Sequence, residues 1–380
     1  MYSNKLTGIV CLTALLIVSL SSCGGRTARR QVDGDTLALR HTSLLTIVEH
    51  DGYTTVDIRN PWKEGRLLHS YVLVPRTKEL PADLPEGTLI RTPLQRAAVF
   101  TTVHCSLLTT LGHGENIVAV GDLKYIKIPY IQERVRNGLV ADCGSGLNPV
   151  VEKIIDTKPE AILLSPFENS GGYGKVEEID IPIVECAEYM ENSPLARAEW
   201  MKFYGLLFGA YEQTEQLFAQ VDSSYQALKA EAAAAGQGRS VLIDRIVGSV
   251  WYVPGGRSTI GQMVSDAGGQ YAWADDDHSG SLSLPFETVL ERSGNADVWM
   301  YRYSAFDHEQ TYGELLAQHR GYDQLRPYRE HNVYCCNVEQ SLFYEESPFR
   351  PDLLLSDFIQ ILHPDIPNKR PLRYYKKLKD

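Results

Sequence analysis

Asn148-Pro149-Val150-Val151-Glu152-Lys153-Ile154-Ile155 runs through Pro159-Glu160-Ala161 into Ile162-Leu163-Leu164. The same grammar returns later, where Leu284-Pro285-Phe286-Glu287-Thr288-Val289-Leu290 runs through Gly294-Asn295-Ala296 into Val298-Trp299-Met300. In each copy a glutamate lies nine positions before an alanine, and apolar residues follow it at the second and third places. A proline suits a helix start, and a carboxylate in the first turn faces the positive end of the helix dipole. The spacing therefore predicts a short helix with an outward glutamate, its apolar side on the core, followed by a buried strand. Two copies of one unit predict two lobes built alike.

Around these copies the chain alternates short apolar runs with helical patterns, as βαβ units on parallel sheets do. Before and between them the runs are Ala97 to Phe100, Ile117 to Val120, Ala161 to Leu164 and Ile183 to Glu185, with helical stretches at Ser106 to Leu111, Val150 to Asp156 and Leu195 to Phe208. From Tyr211 to Ala235 a longer helix carries Leu217, Phe218, Val221, Tyr225 and Leu228 at three-and-four spacing and stops at Gly236. Strands at Ser240 to Ile243, Val250 to Val253 and Asp297 to Tyr301 then alternate with helices at Thr259 to Ala267 and Phe286 to Arg292. Ahead of all this, Leu44 to Val48, Tyr53 to Ile58 and Tyr71 to Val74 read as antiparallel strands. The expected fold is α/β: two parallel-sheet α/β lobes joined by a single long helix, with an N-terminal antiparallel β extension. The expected boundaries are 1–22 for a signal peptide, 23–40 for a polar tether, 41–93 for the β extension, 94–209 for the first lobe, 210–237 for the linking helix and 238–380 for the second lobe.

The chain begins with Lys5, an apolar run from Ile9 to Leu20, then Ser21, Ser22 and Cys23, which reads as an export signal. The run falls short of the ~20 apolar residues that span a bilayer. Leu20-Ser21-Ser22-Cys23 is similar to the lipobox of bacterial lipoproteins, in which the cysteine is acylated and becomes the mature N-terminus. The expected location is the cell envelope or periplasm, with the membrane reached only through lipidated Cys23.

A net charge of -11 argues against nucleic acid, whose binding rests on clustered Lys and Arg. The basic stretch Arg370 to Lys379 reads as a solvated tail. Cys105, Cys143, Cys186, Cys335 and Cys336 are odd in number and hold no C-x-x-C spacing. Asp275-Asp276-Asp277-His278 lacks the spacing of a calcium loop, and His104, His113, His308, His319 and His331 are scattered without metal-ligand spacing. No metal site and no resident cofactor is expected. Nor is catalysis: the sequence has no G-x-S-x-G elbow, no H-E-x-x-H and no phosphate loop, which leaves an exported envelope hydrolase as the remote alternative.

In Pro149-x-x-Glu152-x-Ile154-Ile155 with Lys158-Pro159-Glu160-Ala161-Ile162, in Thr259 to Gly269, and in Pro285-x-Glu287-x-Val289-Leu290, the chain resembles the substrate-binding proteins of iron-siderophore, haem and cobalamin importers. The resemblance runs from roughly Arg96 to Pro364. It implies a non-enzymatic, monomeric binding protein of an ABC importer, which takes an iron chelate or a corrinoid and delivers it to a permease dimer. Glu152 and Glu287 match the family glutamates that form salt bridges with arginines of the two permease subunits.

That resemblance puts the ligand in the cleft between lobes, at the carboxyl ends of the strands. The first lobe then offers Thr102, His104, Tyr125, Phe167, Glu168 and Asn169. The second offers Trp251, Tyr252, Arg257, Tyr301, Arg302 and Tyr303. Aromatic faces with a few charged groups suit a large, flat, partly anionic chelate. Gly255-Gly256 beside Arg257 permits close backbone approach. Arg257 and Arg302 lean towards an anionic siderophore, while Tyr252, Tyr301 and His104 are the candidate axial donors for haem.

Overall fold

The structure is a computed structural model that describes residues 34–168 and 172–380. The signal segment, Cys23, most of the tether and Asn169 lie outside the described residues.

Short all-apolar runs become strands buried on both faces, the pattern that parallel sheets require. In the first lobe the strand order is Ile183–Glu185, Ala161–Leu164, Ala97–Val99, Ile117–Val120, Ala141–Asp142, and every pairing is parallel. In the second lobe the order is Gln270–Tyr271, Ser240–Ile243, Val298–Tyr303, Val333–Asn337, Lys376–Lys377, with only the last pairing antiparallel. The helix Tyr211–Ala235 joins the lobes. It packs on Met201–Phe208 of the first and Pro351–Leu362 of the second, burying Phe218, Val221 and Tyr225. Tyr225 also donates to Asp266 of the second lobe at 2.8 Å. One continuous apolar core thus reaches from the N-terminal strands to the C-terminal residues.

Several local expectations change. The N-terminal sheet adds a fifth strand, Thr88–Thr92, which runs parallel to Leu67–Pro75 and not antiparallel. Val250–Pro254 leaves the main sheet of the second lobe and pairs antiparallel with Ile246–Val247 and Ser281–Leu284. The stretch from Leu195 divides into Pro194–Glu199 and Met201–Phe208 at Trp200. The basic C-terminal stretch is folded: Tyr374, Tyr375 and Leu378 are buried, and Asp357 accepts the backbone N–H groups of Arg373, Tyr374 and Tyr375 at 2.8, 2.8 and 3.0 Å.

The β extension is tied down by charge as well as by packing. Buried Glu199 accepts the backbone N–H groups of Arg40, His41 and Thr42 at 3.0, 2.8 and 3.0 Å, and Glu191 accepts those of Ser43 and Leu44 at 3.1 Å each. Five successive amides outside any helix or strand are satisfied by two carboxylates of the first lobe, which removes the usual cost of burying a loop backbone.

Candidate functional site

Between the lobes lies a cavity of about 890 Å³, at the large end of the roughly 300–1,000 Å³ range of small-molecule sites. The strand-following segments of both sheets form it, as expected at the carboxyl ends of open parallel sheets. Phe100, Tyr125, Phe167, Tyr189, Phe343 and Tyr344 supply aromatic surface. Tyr125, Phe167 and Tyr344 are about half exposed, so their rings meet no other part of the protein over much of their area.

Among the described residues three cations reach this cavity: Lys127, Arg197 and Arg302. Arg302 is neutralised within the protein, because Asp244 receives its Nε and Nη2 donors at 3.2 and 2.8 Å. Lys127 pairs with Glu339 of the opposite lobe at 2.6 Å. Arg197 differs: its buried Nε has no hydrogen-bond partner among the described residues, although Glu188 lies close enough to act on its charge. Glu345, from the second lobe, accepts from Thr102 Oγ1 at 3.1 Å and from the backbone N–H of Lys127 at 3.3 Å. Burial raises the Glu345 carboxyl above its ordinary range, and these hydrogen bonds oppose that rise only in part.

Below the cavity, Glu188 is buried with His104 and Cys186, and the potential ligand atoms of the three lie within 4.8 Å of one another. Tyr204 donates to Glu188 Oε2 at 2.8 Å. Burial pushes the Glu188 carboxyl upward, but His104, Arg197 and Tyr204 outweigh it and hold the group at about 2.

Of the cleft residues read from sequence, Thr102, Tyr125, Phe167 and Arg302 line the cavity. Glu168 is exposed outside its lining. His104 departs from its expected loop position because the helix begins at Thr102, one turn earlier than the apolar pattern starts, and its first turn points His104 into the core beside Tyr204. Strand alternation explains another pair: Trp251 and Val253 face inward, while Tyr252 points outward at 44% exposure. Trp251 packs on Trp299, Phe286 and Tyr322 instead of on a ligand. Tyr301 and Tyr303 belong to a central parallel strand and are buried in the core. Arg257 lies outside the cavity, paired with Asp277 at 2.7 Å.

Sequence reasoning passed over Glu188, Tyr189, Arg197, Phe343, Tyr344 and Glu345. The first two directly follow strand Ile183–Glu185, so the rule applied to the other strands reaches them. Phe343 to Glu345 follow strand Val333–Asn337, whose Cys335-Cys336 is a weak strand signal, and Arg197 sits on a helix that no such rule addresses.

The two expected docking glutamates occupy matched places. Glu152 and Glu287 are exposed in the first turns of Val151–Thr157 and Phe286–Ser293, and neither has an ion-pair partner among the described residues. Ile154, Val289 and Leu290 pack inward as their spacing requires, but Ile155 is 48% exposed.

Two α/β lobes joined by one long helix around an aromatic cavity define a bilobed solute-binding protein. The chain belongs to the periplasmic binding protein family, whose model matches residues 98–338. This family is a class of substrate-binding proteins and not of enzymes, so it lends no support to a hydrolase. An uncharacterized lipoprotein of Methanocaldococcus jannaschii, MJ0878, is 26% identical over 301 residues, which cover 76% of this chain and 70% of the relative. The fold matches that of a possible iron-binding (periplasmic solute-binding) protein from Staphylococcus epidermidis, with a TM-score of 0.55 and 18% identity over 71% of this chain and 99% of that one. A periplasmic heme binding protein from Pseudomonas aeruginosa matches with a TM-score of 0.56 and 12% identity, over 76% of this chain and 99% of that one. No helix among the described residues is long and apolar enough to cross a membrane.

Proposed function

We propose that the protein is the exported solute-binding lipoprotein of an ABC importer, which captures an iron complex, a ferric siderophore or haem, between its lobes and hands it to the permease. The inter-lobe cavity carries this reading: about 890 Å³ walled by six aromatic side chains is a site for a large, flat ligand and too roomy for a bare ion. Arg197, with its unpartnered Nε, is the cation that an anionic rim group of the cargo would meet. Tyr125 and Tyr344, half exposed in the wall, are available as phenolate donors to ferric iron. Acylation of Cys23 would hold the chain, as a monomer, at the membrane surface, and the lipoprotein relative supports that reading.

Glu152 and Glu287, one per lobe, exposed and unpaired, are the proposed contacts with the permease dimer. Calorimetric titration of the protein with haem, a panel of ferric siderophores and cobalamin tests the cargo. One-to-one submicromolar binding of an iron complex is expected. Binding of cobalamin alone would replace the iron reading, and silence across the panel would overturn it. The double variant Glu152→Ala/Glu287→Ala should lose uptake in cells and keep its affinity; a loss of affinity would refute the docking role.

A further inference from the structure

Beneath the cavity three side chains of different elements meet with no hydrogen bond between them, and of the three only Glu188 reaches the surface assigned to cargo. His104 comes from the first turn of Thr102–Thr110, Cys186 from the end of strand Ile183–Glu185, and Glu188 from the turn that follows. All three are buried, at 0%, 0% and 1% exposure. His104 Nε2 has no hydrogen-bond partner among the described residues, yet it stands 3.6 Å from Glu188 Oε2. That gap is too long for a hydrogen bond. Two ligands of a tetrahedral zinc ion with bonds of about 2.0–2.1 Å stand roughly 3.4 Å apart, so the same gap is close to one edge of a zinc tetrahedron.

We infer that His104 Nε2, Cys186 Sγ and Glu188 Oε2 form a binding site for one zinc-class divalent cation. Imidazole, thiolate and carboxylate together are a donor set that zinc takes readily and that calcium or magnesium, which want oxygen alone, does not. The surroundings orient the ligands as second shells do. Thr101 Oγ1 contacts His104 Nδ1, which fixes the ring and leaves Nε2 for the ion, and Tyr204 donates to the ligating oxygen of Glu188. Glu188 also lines the cavity, which gives the ion an entry path.

Arg197 is the opposing term, since its positive charge acts on Glu188. The site answers it by charge balance: a divalent ion with one thiolate, one carboxylate and one neutral imidazole is net neutral. Cys186 donates weakly, as a thiol, to Val184 O at 3.5 Å. Binding therefore exchanges the thiol proton for a metal–sulfur bond and releases that proton to solvent, so the site tightens as pH rises.

The test uses cargo-free full-length protein and the metal alone, so it is independent of the cargo reading above. Titration with Co²⁺ should give one equivalent bound with a thiolate-to-cobalt charge-transfer band, displaced by Zn²⁺. Cys186→Ser should remove the band and weaken binding at least tenfold, and His104→Gln should weaken it by a similar factor, whereas Cys105→Ser should change neither. X-ray absorption of the zinc-loaded wild-type chain, which needs no variant to fold, should show one sulfur among nitrogen and oxygen neighbours. Absence of stoichiometric binding, a first shell without sulfur, or a band that survives in Cys186→Ser would overturn the site.

Discussion

Lys127 Nζ lies 2.6 Å from Glu339 Oε2, and the two side chains come from opposite lobes. Glu345 crosses the same boundary to Thr102 and to the backbone of Lys127. Four residues at the cavity wall thus hold the lobes together on one side, beside the cargo space. Lys127→Met leaves the buried Glu339 Oε2 without its cation, so it should cost ~1–3 kcal/mol of stability and speed release of bound cargo. Stopped-flow displacement reads the second effect; an unchanged off-rate would show that the pair does not hold the lobes.

The same pair has a defined pH window. The Lys127 ammonium beside it depresses the Glu339 carboxyl below its ordinary value, outweighing burial. A depressed folded value means that the contribution is fully present above the unfolded carboxylate pKa of about 4.3 and is lost as pH falls through the lower folded value. The difference in cargo off-rate between wild type and Lys127→Met should be constant across neutral pH and shrink only in that acidic window. A difference that vanished near pH 6–7 would implicate a histidine instead.

Glu199 accepts three backbone amides of the segment that leads into the β extension, and it is fully buried. Glu199→Ala leaves those three buried donors without their acceptor and Lys202 with Glu215 as its remaining partner, at a cost of ~3 kcal/mol or more. Hydrogen exchange should rise at Arg40 to Thr42 first, while cargo affinity in the distant cavity holds. Uniform exchange across the whole first lobe would mean that the clamp is not local.

Trp251 is a core residue, so Trp251→Ala should destabilise the second lobe by ~3–5 kcal/mol in urea unfolding. Tyr252→Ala, one residue on and exposed, should cost under ~0.5 kcal/mol. The opposite order would put the strand in the other register.

Tyr204 donates to ionised, buried Glu188, so Tyr204→Phe removes a hydrogen bond to a charge and should cost ~1.5–3 kcal/mol. With that bond gone the Glu188 carboxyl should titrate at higher pH than about 2, a change that carbon-detected NMR of the side chain can read.

Residue spacing specifies what repeats along the chain. The all-apolar runs and the two proline–glutamate helices specify strands buried on both faces and helices with one wet side, so the two α/β lobes, the linking helix and the exposure of Glu152 and Glu287 were legible from spacing. Which polar side chain faces the cavity depends on how the elements pack. A shift of one residue along a strand exchanges core for surface, as at Trp251 and Tyr252, and a helix start one turn earlier carries His104 from the cleft into the core. The meeting of His104 with Cys186 and Glu188, and of Lys127 with Glu339, joins residues 82 to 212 positions apart, and sequence periodicity reaches only a few turns along the chain. Such contacts are set by how sheets and lobes stack, through the burial of the core that neither partner encodes locally.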